Sequence, residues 1–315
     1  MIHEYPWLRD TYQPLEKNIR THTNAHALLI QGNSGIGRLA LAKFLSNIFL
    51  GFEEDQEFEI KDEIIISPIE NKKSVSIDQI RSLKQSLLLT SLKGKGKVGI
   101  IYPAEAMTYP AANSLLKILE EPPKDTMIIL ITESIGKLPK TILSRSQIIN
   151  CAHPSNEESI EWLEAKEKQD WSSILSVFGN RPVLLNDIGH EYLTSQIESL
   201  SKQITGLIDG QTKPSDISDS WKTEDIELNL RVIYSWMFKY LEIRLLQRNS
   251  DDNLPEGLYR MIDQNIDHES CFKLMDDIIR LRELKYSGKG LSWNIHITKL
   301  LNPLFTDMSG LREYA

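Results

Sequence analysis

Cysteine is nearly absent from the 315 residues: Cys151 and Cys271 are the only two, and there is no C-x-x-C pair. That excludes a disulfide framework and a thiolate zinc site. No apolar run approaches the roughly 18 residues needed to cross a bilayer. The opening stretch MIHEYPWLRDTYQP is too polar for a secretion signal. The seven histidines are scattered, and none pairs at H-x-x-x-H spacing on a helical pattern, so no metal site is expected. Internal repeats and low-complexity tails are missing as well. What is present, 41% hydrophobic and 25% charged residues, is the composition of a globular cytoplasmic protein. The length predicts two or three domains.

Positive charge is lacking in the second half. Residues 1–150 carry 18 Lys/Arg against 17 Asp/Glu, whereas 151–315 carry 18 against 27, and the whole chain has a net charge of −8. An acidic half opposes phosphate contacts, which argues against a stand-alone DNA-binding factor. The one basic cluster, Lys93, Lys95 and Lys97 interleaved with glycines, has no neighbouring aromatics and reads as a solvated loop before a strand.

Five short apolar runs punctuate the first half: HALLIQG (26–32), EIIISP (63–68), KVGIIYP (97–103), MIILITE (127–133) and QIINCA (147–152). Such runs suit parallel strands buried on both faces. Helical patterns lie between them at 38–50, 76–90 and 111–121, the last stopped by Pro122-Pro123. Alternating strands and helices predict an α/β doubly wound sheet. Beyond Cys151 the strand signal ends. Residues 155–205 read as short helices, with a turn at Asn180-Arg181-Pro182, and 206–222 as a polar connection. Amphipathic helices follow over 225–248, 270–286 and 291–305. The first carries Leu228, Val232, Trp236 and Tyr240 on one face, the second Phe272, Met275, Ile279 and Arg282, and the third Leu291, Ile295 and Lys299.

HALLIQG runs directly into GNSGIGRL (32–39) and a helix, the context of a G-x-x-x-x-G-K-[ST] phosphate loop. Gly32, Gly35 and Gly37 hold glycine positions that let backbone N–H groups curl around an anion. The chemically active positions differ. Arg38 stands where lysine belongs, and Leu39, which cannot coordinate magnesium, stands in place of Ser/Thr. The next requirement, a strand ending in carboxylates, fails too: Tyr102 and Pro103 follow the third strand, and Glu105 beyond them reads as a solvated loop residue. These losses point to a glycine turn kept for strand-to-helix geometry and leave only an anion site open. Ser34 has no G-x-S-x-G context and no role as a nucleophile.

Two further strings carry a resemblance. AANSLLKILEEPP (111–123) is similar to the NALLKTLEEPP signature of clamp-loader AAA+ subunits, and LPKTILSRS (138–146) to that family's L-P-x-T-I-x-S-R-C segment. The resemblance covers about residues 1–155 and implies an AAA+ P-loop-type α/β domain (1–153). A small helical lid domain (154–206) and a C-terminal helical collar for oligomerisation (207–315), all-α, would follow. A degenerate loop with a kept Ser-Arg motif resembles the family's stator, a DNA polymerase III component without ATPase activity of its own. In that family the Ser-Arg arginine serves ATP held by an adjacent subunit; by position it is Arg145, between Ser144 and Ser146. The implied partners are gamma/tau-type and delta-type subunits, with the sliding clamp and primed DNA met through the assembly. The alternative is an active gamma/tau-like ATPase, against which Arg38, Leu39, Tyr102 and Pro103 all count. Family members often carry a four-cysteine zinc module where this chain has GFEEDQEFEIKDE (51–63), seven acids, one lysine and no cysteine, so zinc is not expected. Ser146 replaces the usual cysteine with a similarly small side chain.

Overall fold

The three inner strands hold almost nothing but buried side chains. In the computed structural model these are β1 (Ala27–Gln31), β3 (Lys97–Ile101) and β4 (Thr126–Thr132), flanked by β2 (Glu63–Ile66) and β5 (Gln147–Asn150) at the edges. All pairings are parallel and the order is β2-β3-β4-β1-β5. The structure describes residues 2–20, 26–52, 62–70, 72–91, 96–246, 262–263, 266–286 and 292–305.

Side chains alternate between the two faces of a strand, so each inner strand feeds two cores. Leu28, Ile30, Val98, Ile100, Ile129 and Ile131 face one core, packed with residues of α1 (Arg9–Arg20) and α2 (Arg38–Phe49). Leu29, Ile101, Ile128 and Leu130 face the other, with α3 (Ile77–Leu88) and α4 (Tyr109–Glu120). The doubly wound sheet expected from the strand–helix alternation is therefore present. The edge strands depart from it: Ile65 and Ile148 are exposed, because each edge lacks a second neighbour.

Local signals fix where the helices start. Ser76 caps α3 through a capping box with Gln79, and the Thr108 hydroxyl accepts from Ala111 N–H at the start of α4. The short α5 (Lys140–Leu143) and the turn Ser144–Ser146 then lead into β5.

The chain forms two compact units, the first comprising 1–166 with 180–184, the second 167–179 with 185–315. The first unit thus includes α6 (Asn156–Lys166). In the second lie α7 (Ser172–Phe178), most of α8 (Pro182–Ile188), α9 (His190–Ile208), α10 (Pro214–Ser220), α11 (Ile226–Leu246), α12 (His268–Tyr286) and α13 (Trp293–Leu301).

Four helical readings need correction. Residues 190–208 form one 19-residue helix, held by Leu193, Leu200, Ile204 and Leu207 on one face, not several short ones. The 206–222 connection contains the end of that helix and all of α10, which Pro214 opens at its first turn. On α12 the buried side is Cys271, Leu274, Ile278 and Leu281, with Met275 beside them, while Phe272 and Ile279 are exposed. An apolar residue at helical spacing marks a face but does not say which of two adjacent faces meets a neighbour. Ile295 on α13 is likewise exposed, and Leu291 lies outside the described residues. On α11 the expected face holds: Val232, Trp236 and Tyr240 are buried and Leu228 half-buried.

Candidate functional site

Gly32 leaves β1 and the loop turns into α2 with Gly35 at φ 80° and Gly37 at φ 90°, left-handed conformations that favour glycine. The loop is covered by the chain's own side chains and backbone. Val183 N–H donates to the Gly35 carbonyl at 3.0 Å, and Arg181 Nη1 donates to Ser34 Oγ at 2.9 Å. A Cβ on Gly35 would lie 2.5 Å from Leu184 Cβ, so glycine is needed here for close approach of residues 181–184. On the other side, Trp7 Nε1 donates to the Ile36 carbonyl at 2.9 Å, and the Tyr5 ring lies against Gly37. Tyr5, Trp7 and Trp162 form an aromatic cluster with centroids 5.8 to 5.9 Å apart.

Arg38, the first residue of α2, is 3% exposed. Its Nη2 lies 3.3 Å from Glu133 Oε1, just past β4, and its guanidinium is 5.8 Å from the centre of the Tyr102 ring, just past β3. Nη1 is buried without a hydrogen bond among the described residues. Leu39 is half-buried against the core. Burial pushes the Cys151 thiol, just past β5, up to about 12 despite the opposing charge of Arg38, so it is no nucleophile at neutral pH. A buried cation therefore stands at the carboxyl ends of the strands, where a P-loop site would need magnesium and carboxylates.

Glu105 is not a solvated loop residue. Its Oε1 accepts from Glu133 N–H at 3.0 Å, and its Oε2 is buried. Lys97 also departs from the solvated-loop reading: it is buried, with Nζ 3.4 Å from Asp62 Oδ1, whose Oδ2 accepts from Ser91 Oγ at 2.9 Å. Lys93 and Lys95, like most of 51–63, lie outside the described residues.

Arg145 occupies the opposite end of the sheet. It precedes β5, as His26 precedes β1 and Glu120 precedes β4, and these residues with Leu119, Ser144 and Ser146 line an open hollow of about 450 Å³. Arg145 Nη1 donates to the Thr141 carbonyl at 3.1 Å and to Ser144 Oγ at 3.2 Å, and Nη2 lies 2.8 Å from Glu120 Oε1. Ser144 Oγ donates to the Thr141 carbonyl and Ser146 Oγ to the Ile142 carbonyl, which fixes the turn that presents the arginine. The candidate residues thus separate into two groups. Gly32, Gly35, Gly37, Arg38, Leu39, Tyr102 and Pro103 gather at one end of the strands, and Arg145 stands at the other, about 16 Å away along the five residues of β1.

Sequence reasoning did not single out Glu133, Glu120 or Arg181. Glu133 has one sequence signal, its place directly after a buried strand. Glu120 and Arg181 find their partners only through tertiary contacts.

Residues 7–155 match a family model described as "DNA polymerase III, delta subunit". The chain is 28% identical over 259 residues to DNA polymerase III subunit delta' of Pseudomonas aeruginosa, covering 76% of this chain and 78% of that protein. It is 30% identical over 215 residues to the subunit delta' of Haemophilus influenzae, covering 63% of this chain and 65% of that one, just under two thirds of its length. Among solved structures, a DNA polymerase III gamma subunit-related protein from Thermotoga maritima aligns over 94% of this chain and 98% of its own. Its TM-score is 0.50 at 22% identity, a likeness of fold.

Proposed function

We propose that this chain belongs to the DNA polymerase III delta-subunit family, whose model its residues 7–155 match, and that it is the delta-prime stator of a replication clamp loader. In this reading it has no ATPase activity of its own and binds neither magnesium nor zinc. It lends Arg145 to ATP held by an adjacent gamma/tau-type subunit, beside a delta-type subunit, while the assembled ring opens the sliding clamp and places it on primed DNA. The single observation that carries this reading is that Arg145 and the chain's own glycine loop stand at opposite ends of one sheet. An arginine about 16 Å from its own loop serves a nucleotide only if another chain brings it. A guanidinium suits that task, since it is always charged and presents a planar fork to phosphate oxygens.

The alternative reading, an active gamma/tau-like ATPase, requires a metal ligand and a carboxylate pair. Leu39, Tyr102 and Pro103 supply neither, and the Arg38 guanidinium fills the space between the strand ends.

The test is reconstitution with an ATP-hydrolysing gamma/tau-type subunit, a delta-type subunit, clamp and primed DNA. Arg145→Ala is expected to leave the protein folded and the complex assembled, yet to lower clamp loading severely; trans arginines are worth about 10³-fold or more at a single site. Total hydrolysis by a ring with several sites falls only partly. Normal loading with Arg145→Ala would refute the reading.

A further inference from the structure

We propose that Glu120 is the positioning residue for Arg145, holding its guanidinium in the orientation from which it reaches a neighbouring subunit's nucleotide; this rests on the stator reading above. An arginine side chain that is 35% exposed on a turn has many rotamers open to it. Here the fork is pinned at both terminal nitrogens. Nη1 is tied to its own turn through the Thr141 carbonyl and Ser144 Oγ, and Nη2 to Glu120, the last residue of α4, at 2.8 Å. The two anchors belong to different elements: the hydrogen bonds tie Nη1 to the turn, and the ion pair draws Nη2 toward the end of α4. Nε makes no hydrogen bond among the described residues, which leaves that donor for an incoming phosphate.

Glu120 pairs with no other cation among the described residues, and its side chain is half exposed. An ion pair that open adds little to folding stability. Its consequence is orientation, and misplacing a reacting group by about 1 Å can cost about 10²-fold in rate. The effect on function therefore exceeds the effect on the fold, and that difference is measurable.

The experiment compares wild type, Glu120→Ala, Glu120→Gln, Glu120→Lys, Arg145→Ala and the Glu120→Ala/Arg145→Ala pair in the reconstituted loader. Unfolding midpoints and complex assembly are measured alongside. Glu120→Ala is expected to lower clamp loading about 10-fold, through kcat of the DNA-stimulated hydrolysis, with KM for ATP unchanged because the nucleotide is bound by another chain. Glu120→Gln keeps the shape but removes the charge of the pair and is expected to fall between wild type and Glu120→Ala. Glu120→Lys repels the guanidinium and is expected to approach Arg145→Ala, which provides the test even if the alanine variant folds poorly. Adding Glu120→Ala to Arg145→Ala is expected to change nothing more. The inference is overturned if Glu120→Ala and Glu120→Lys load clamps as fast as wild type, or faster, while Arg145→Ala is impaired. It is also overturned if the Glu120 effect persists undiminished on the Arg145→Ala background. A silent Arg145→Ala overturns the stator reading itself, and this inference with it.

Discussion

Arg38 and Arg145 sit at opposite ends of the same parallel sheet, the first 3% exposed and the second 35% exposed. Arg38 is spent inside the chain: Glu133 pairs with it, Tyr102 lies beside it, and residues 181–184 and Trp7 close over the loop it follows. Arg145 is held by Glu120 and by its own turn, with Nε making no hydrogen bond among the described residues. The difference teaches that a charge in a motif does not fix its use. The same residue type closes one site from within and is presented outward at the other, according to what the strand ends place around it.

The sharpest way to break this contrast is to rebuild the loop. Arg38→Lys with Leu39→Thr restores the letters of a phosphate loop but not the carboxylates missing at Tyr102 and Pro103. Pure doubly substituted protein is expected to show no magnesium-dependent ATP hydrolysis above background. Turnover at the roughly 1 s⁻¹ or more usual for enzymes would mean that the loop letters alone had disabled the site.

A smaller effect separates the two ion pairs by stability. Glu133→Ala strands a buried guanidinium whose Nη1 is already unpartnered, and is expected to destabilise the first unit by about 2–3 kcal/mol, reduced from a fully buried pair because Glu133 is 41% exposed. Arg38→Met, which removes the charge and keeps the bulk, is expected to be close to neutral. Chemical denaturation of both variants measures this, and equal losses would count against a buried, self-neutralised cation.

The smallest effect concerns the N-terminal segment that covers the loop. Lys166 Nζ is 2.6 Å from Glu4 Oε2, and this hydrogen bond is the largest cause that holds Glu4 down to about 2. A carboxylate depressed in the folded state contributes stability above its unfolded pKa and loses it as pH falls through the folded one. Glu4→Gln is therefore expected to cost stability at pH 7 and to converge with wild type between about pH 4.5 and 2. Both groups are exposed, so the difference stays below about 1 kcal/mol. A gap that persists at pH 2 would assign the effect to something other than this pair.

Much of the fold is legible in residue order. The five apolar runs coincide with the five strands, Pro122-Pro123 stops α4 after Glu120, and the glycine spacing of 32–37 produces a strand-to-helix turn, because each of these depends on neighbours a few residues away. What lay beyond local reading involved distant partners. Lys97 looks like a loop lysine until Asp62 meets it across two strands, and Glu105 looks solvated until the Glu133 amide claims it. Phe272 and Ile279 have the spacing of a core face, yet the packing of α12 turns the Cys271–Leu281 side inward.

The sequence by itself determined the alternation of strand and helix, the absence of the lysine, hydroxyl and carboxylates of a working phosphate site, and the Ser-Arg-Ser string at 144–146. Those are properties of residue type and short spacing. Only the tertiary structure decided that Arg38 is buried against Glu133, that Leu184 and Trp7 cover the glycine loop, and that Glu120 holds Arg145. Parallel strands carry residues far apart in sequence to one end of the sheet or the other, and which residues meet there follows from strand order, which no local pattern encodes.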